Sequence, residues 1–148
     1  MNLHLENVNL QNTSGPNHFA TKLIKYMQNR DVTFDYNRDA DARLAFIETH
    51  TASPSETPLF QRLDGIYFNS DQDYNAQNKP IKLTYNSSNV VIFQSEFNRD
   101  ISIKYFGEHP NYTVINNGAD IEYLDTISPL KHEKIDKFET VWCCASTW

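Results

Sequence analysis

Val90-Val91-Ile92-Phe93 is an unbroken apolar, largely β-branched run, and the residues that follow it decide the fold. A run with no polar side is the kind buried on both faces of a parallel sheet. Residues 97–106 follow, with Phe97, Ile101, Tyr105 and Phe106 at about helical spacing and Gly107 as a C-terminal stop, which predicts a helix. Tyr112-Thr113-Val114-Ile115 is the next strand and ends at Asn116-Asn117-Gly118. Strand, helix, strand in this order predicts a parallel arrangement.

The same alternation opens the chain. Residues 3–8 read as a short strand, Gly15-Pro16 as a turn, and residues 18–27 as a helix carrying Phe19, Leu23, Tyr26 and Met27 on one face. Residues 31–34 predict a second short strand. The segment 39–43 is charged and polar, and Leu44-Ala45-Phe46-Ile47 after it reads as a buried strand. Residues 49–58, with two prolines, predict a loop, and Leu59-Phe60-Gln61-Arg62-Leu63 a strand ending at Asp64-Gly65. Residues 69–78 are almost wholly polar and read as surface, followed by a helix of poor pattern within 81–88. Residues 130–138 read as linker or frayed helix, and Val141-Trp142-Cys143-Cys144-Ala145 as a last strand. The expectation is an α/β domain: a Rossmann-like parallel sheet flanked by helices.

Composition narrows the function. The 148 residues fit one ordinary domain with a real core. Nineteen acidic against 13 basic residues give a net charge of −6, with the basic ones scattered singly, which argues against nucleic acid and anionic membrane as partners. No apolar run approaches the roughly 20 residues that span a bilayer. The first residues show no cationic region leading into an apolar stretch, so the expected location is cytoplasmic and the sequons at Asn12, Asn86 and Asn111 carry little weight. Cys143 and Cys144 are neighbours, which suits two small apolar residues in a buried strand better than a cross-link or a metal site.

In parallel sheets ligands bind beyond the carboxyl ends of the strands. That rule selects residues 12–18, 62–69, 95–97 and 116–120. Gly15 at the first strand–helix turn would let a ligand reach backbone N–H groups, and a helix N-terminus favours phosphate; a tight structural turn is the alternative. Arg62 could neutralise a phosphate and Asp64 could accept from sugar hydroxyls, or the two could form a surface pair. His18 could donate to a ligand or be a solvated or capping residue. His50 and His109 read as surface loop residues. No Ser/His/Asp triad or Cys/His metal cluster can be drawn, so no metal and no cofactor is expected.

Four segments occur in an order that resembles a known family. They are Asn12-Thr13-Ser14-Gly15-Pro16-Asn17-His18-Phe19-Ala20, Gln61-Arg62-Leu63-Asp64-Gly65-Ile66-Tyr67-Phe68-Asn69, Val91-Ile92-Phe93-Gln94-Ser95-Glu96-Phe97 and Val114-Ile115-Asn116-Asn117-Gly118-Ala119-Asp120. Together they resemble the N-terminal domain of group 1 (family 4) retaining glycosyltransferases of the GT-B fold. The resemblance implies sugar transfer, with retention, from a nucleotide-sugar to a glycan or other acceptor, without a metal. It places Ser14, Gly15, His18, Arg62, Asp64, Gly65, Ser95, Asn117, Gly118 and Asp120 around donor phosphates and acceptor, and it leaves the catalytic residues unassigned. It further implies an acceptor-side domain over residues 1–128, with 129–148 as linker and first strand of a missing C-terminal domain. On that expectation the chain alone is inactive. The competing readings are a non-catalytic glycan- or protein-binding module and an unrelated nucleotide-binding α/β domain.

Overall fold

A computed structural model describes residues 1–12, 14–35, 40–50 and 56–128. The chain forms two compact units, Met1–Asn117 and Gly118–Trp148. The first unit holds a sheet of six strands, all parallel: β1 (Asn2–Glu6), β2 (Thr33–Asp35), β3 (Ala42–Phe46), β4 (Leu59–Leu63), β5 (Val90–Phe93) and β6 (Tyr112–Val114). Their order across the sheet is β2-β1-β3-β4-β5-β6. Three helices join them: α1 (Gly15–Gln28), α2 (Tyr74–Ser87) and α3 (Glu96–Phe106). The apolar runs starting at Leu44, Leu59, Val90 and Tyr112 are thus parallel neighbours in one α/β sheet, as their composition predicts.

The strand order reverses direction between β1 and β3. A right-handed crossover changes face when it changes direction, so α1 covers one face and α2 and α3 the other. Two core clusters record this. Leu3, Ala42, Leu44 and Phe46 pack with Ala20, Phe19, Leu23 and Met27 of α1. Leu63, Val91 and Phe93 pack with Ile81 and Tyr85 of α2 and with Ile101, Tyr105 and Phe106 of α3. The alternation along β5, with Ile92 toward the first cluster and Val91 and Phe93 in the second, follows from the two-residue period of a strand.

Three local readings need correction. α2 starts at Tyr74, inside the stretch read as polar surface, because Asp73 caps it by accepting from the Ala76 N–H at 3.1 Å. Its inward positions include Asn78 and Thr84, and it contains Pro80, so polar residues and an internal proline hide its periodicity. Phe97, placed by its spacing on the apolar face of α3, is 67 % exposed; the buried positions of that helix are Asn98 and Ser102. His109, read as a surface residue, is buried, with Nε2 at 3.1 Å from the Ser88 carbonyl and its ring edge-on to Tyr85. Gly107 does end α3, at φ +94°, a conformation that favours glycine.

In the second unit, residues 118–128 are described and hold α4 (Ile121–Asp125), whose Ile121, Tyr123 and Leu124 are exposed. The readings on 51–55, 130–138 and 141–145, Cys143 and Cys144 included, lie outside the described residues. No helix among the described residues is long and apolar enough to cross a membrane.

Tyr85 lies at the centre of the second cluster, and its hydroxyl donates to the Gly107 carbonyl at 2.9 Å. Burial, with help from Glu108, pushes its pKa up to about 12. Between pH 10 and 12 the unfolded phenol loses its proton while the folded one keeps it, so stability falls as pH rises through that window. Thermal melts should show this fall, and Tyr85→Phe should blunt it. Phe46→Ala, at a fully buried β3 position, should cost about 3–5 kcal/mol in urea titrations. Leu83→Ala, on the outer side of α2, should stay within about 0.5 kcal/mol.

Candidate functional site: the carboxyl edge of the sheet

The switch of direction between β1 and β3 opens a crevice at the carboxyl ends of the strands, where α/β sheets take their ligands. Its first wall is the N-terminus of α1. Asn12 Oδ1 accepts from the Ser14 N–H at 2.8 Å, and Asn17 Oδ1 accepts from the Asn9 N–H at 2.8 Å, which fixes the approach to the helix. Ser14 is the N-cap residue, but its hydroxyl receives the Asn17 amide and does not cap the backbone. Pro16 in the first turn removes one of the donors that a helix start leaves without a partner. Gly15 has no positive φ, and a Cβ there would meet nothing within 4 Å. Neither the turn nor the packing requires glycine at this position. His18 is exposed and does not cap the helix.

The second wall is β4. Arg62 is buried at its carboxyl end, and its guanidinium carbon lies 3.9 Å from the centre of the Phe19 ring and 5.4 Å from that of Phe46. Phe19 sits one turn into α1, and a turn rises about 5.4 Å. The guanidinium therefore stands beside the positive end of the helix. Its hydrogen bonds are long: Nη1 to Asp64 Oδ2 at 3.5 Å and Nη2 to Asn117 Oδ1 at 3.3 Å. Burial lowers the Arg62 pKa, and Asp64 offsets part of that. The Arg62–Asp64 pair foreseen as a surface contact thus forms around a buried cation.

The remaining predicted residues divide between the two units. Ser95 caps α3 by accepting from the Asn98 N–H at 3.1 Å. A Cβ on Gly65 would likewise meet nothing within 4 Å. Asn117, the last residue of the first unit, donates its amide to Gln94 Oε1. Gly118 and Asp120 belong to the second unit, where Asp120 caps α4 by accepting from the Tyr123 N–H at 3.0 Å. The structure thus brings Arg62, Asp64 and Asn117 together beside α1 and uses Ser95 and Asp120 as helix caps.

Sequence reading missed three contributors. Phe19 was assigned to the core stripe of α1, yet its ring also supports Arg62. Gln94 directly follows β5, so the strand-end rule could have selected it; its Nε2 is buried without a hydrogen-bond partner among the described residues. Ile47, at the end of β3, has φ +69°. No sequence signal marks that strain, because a β-branched residue is the least expected there.

Among the described residues no group of three or more His, Cys, Asp or Glu side chains is placed to hold a metal ion. The chain matches no family model, and no curated protein or solved structure matches it.

A buried cation with only long hydrogen bonds contributes little to stability, since its desolvation offsets its pairing. The double variant Arg62→Leu/Asp64→Ala, which removes the pair together and fills the space beside Phe19 and Phe46 with an apolar side chain, should leave stability within about 1 kcal/mol or raise it. Asn98→Ala, which leaves the Leu63 carbonyl without its 2.5 Å donor, should cost about 1–3 kcal/mol. Denaturant titration of both variants checks the contrast.

Proposed function

We propose that the chain is the acceptor-side α/β domain of a retaining glycosyltransferase that uses a nucleotide-sugar donor. The observation that carries the reading is the Arg62 guanidinium stacked on Phe19, one turn from the α1 N-terminus, at the carboxyl edge of a parallel sheet. Two positive features on one edge suit a diphosphate. A helix N-terminus favours anions through its unpaired N–H groups and its dipole, and a guanidinium adds planar, directed donors.

The chemistry proposed is electrostatic. As the bond between sugar and diphosphate breaks, charge grows on the leaving phosphate, and preorganised positive groups lower the barrier because they need not reorient. Asp64, with its side chain partly exposed beside Arg62, is suited to accept from a sugar hydroxyl. The order of four segments along the chain, from Asn12 to Asp120, supports the same assignment. A binding module without transfer activity is the second reading. It is favoured by the commitment of Arg62 to Asp64 and Asn117, which holds the cation inside the fold.

On this reading the chain supplies one side of an interdomain cleft, which buries little ligand, so uridine diphosphate should bind it only in the millimolar range, about −4 kcal/mol. Calorimetry and phosphorus NMR should show that binding weaken in Arg62→Leu and with added salt. Micromolar affinity would contradict the half-site reading. Undiminished binding by Arg62→Leu would remove Arg62 from the site.

A further inference from the structure

Phe68 and Phe97 are two exposed phenylalanines that the core does not use. Phe97 is 67 % and Phe68 48 % exposed, yet their rings meet edge to face, with centres 6.4 Å apart and planes at 72°. Phe68 stands on the connection after β4, and Phe97 in the first turn of α3 after β5. Each side of this corner is held by a buried amide. Asn78 accepts from the Tyr67 N–H at 2.9 Å and donates to the Tyr67 carbonyl at 2.6 Å, which pins the residue before Phe68. Asn98, the residue after Phe97, donates to the Leu63 carbonyl at 2.5 Å. The corner is therefore organised before any ligand arrives, which lowers the entropy lost on binding.

We propose that the Phe68–Phe97 corner is a platform for a pyranose ring, so that the acceptor taken on this edge is a neutral oligosaccharide. A pyranose has an apolar C–H face bordered by hydroxyl groups. The aromatic faces match the first, and exposed apolar area of this kind gains about 25 cal/mol for each Å² covered. Polar groups border the corner for the second: Asp64, partly exposed and loosely paired with Arg62, precedes the Phe68 connection, and Glu96, exposed and paired with Arg99, adjoins Phe97. The net charge of −6 on the chain disfavours a nucleic acid or an anionic membrane as the occupant. The corner continues the carboxyl edge that carries Arg62. The inference rests on the transferase reading only in calling the sugar an acceptor.

The test uses the full chain with cellotriose, maltotriose and triacetylchitotriose at millimolar concentration, followed by saturation-transfer NMR and by shifts of the Phe ring signals. At least one trisaccharide should bind, and Phe97→Ala and Phe68→Ala should each weaken it about tenfold. Both side chains are exposed, so melting temperatures should stay within a few degrees of wild type. Uridine diphosphate binding should persist in both variants, and trisaccharide binding should persist in Arg62→Leu. Three results would overturn the platform. They are no binding by any trisaccharide, equal binding by Phe97→Ala, or self-association in sedimentation that Phe97→Ala abolishes while no sugar binds. A trisaccharide that binds while uridine diphosphate does not would sink the donor reading and leave the platform standing.

Discussion

Parallel strands that end without a ladder partner leave backbone groups to be satisfied inside the protein, and here side-chain amides satisfy them. Asn98 donates to the carbonyl of Leu63 at the end of β4, and Asn7 to that of Phe46 at the end of β3. Gln61, itself buried in β4, reaches the carbonyls of Ile47 and Ile81. At the opposite edge Asn89 accepts from the Leu59 N–H at 2.8 Å, and at the first crossover Asn17 accepts from that of Asn9. Such amides serve backbone groups at strand ends and connections, where a buried group left without a partner costs about 1–3 kcal/mol. Several of the chain's asparagines, Asn7, Asn17, Asn78, Asn89 and Asn98 among them, serve this constraint. They let the connections sit tightly against the sheet, and they fix the geometry of the edge where a ligand would lie.

That constraint also explains what the sequence discloses and what it conceals. The strands around Leu44 and Val90 are legible because each is an apolar run long enough to be buried on both faces, and β4 shows through Leu59, Phe60 and Leu63 although Gln61 and Arg62 are buried within it. The helices are legible where their inward positions are apolar, as at Phe19, Leu23 and Met27 of α1. They are concealed where an amide faces inward. Asn78 looks like surface and is core; Phe97 looks like core and is surface, because Asn98 takes the inward position beside it. His109 is concealed for the same reason: its ring nitrogens lie against the backbone of Ser88 and Asn111. Periodicity of apolar residues cannot report a core that is partly built from polar ones.

At the candidate site, residue types were legible and their grouping was not. The strand-end rule selects Arg62, Asp64 and Asn117 without showing that they converge. Their convergence depends on register: Arg62 pairs with Phe46 on one side and Ile92 on the other, which places it level with the ends of β3 and β5. Its charge then faces the α1 side because alternate residues of β4 point to opposite faces. In a chain with net charge −6, a buried guanidinium beside a helix N-terminus concentrates positive potential where the rest of the surface opposes it. Replacing it together with Asp64 by apolar residues loses little stability on the desolvation argument, so stability alone does not account for an arginine at this position.

Backbone strain falls at the same crevice. Outside glycine, the positive-φ residues among those described are Asn7, Asp31 and Ile47, and the first and last directly follow β1 and β3, the strands that flank the reversal. Asparagine tolerates this conformation; isoleucine does so at a cost of about 1–3 kcal/mol. The Ile47 N–H donates to the Arg62 carbonyl at 2.9 Å, and its own carbonyl receives the Gln61 amide at 2.6 Å. The Phe46 carbonyl accepts from both Asn7 and the Glu48 N–H, the latter closing a γ-turn. A glycine would remove the strain and lose the packing of the Ile47 side chain against the second core cluster. An extended residue would carry β3 onward beside β4. The turn ends β3 at Phe46, so the strand leaves the sheet level with Arg62. The strained backbone conformation at Ile47 and the loosely paired charge of Arg62 are thus linked through one backbone hydrogen bond, at the part of the fold where stability is given up.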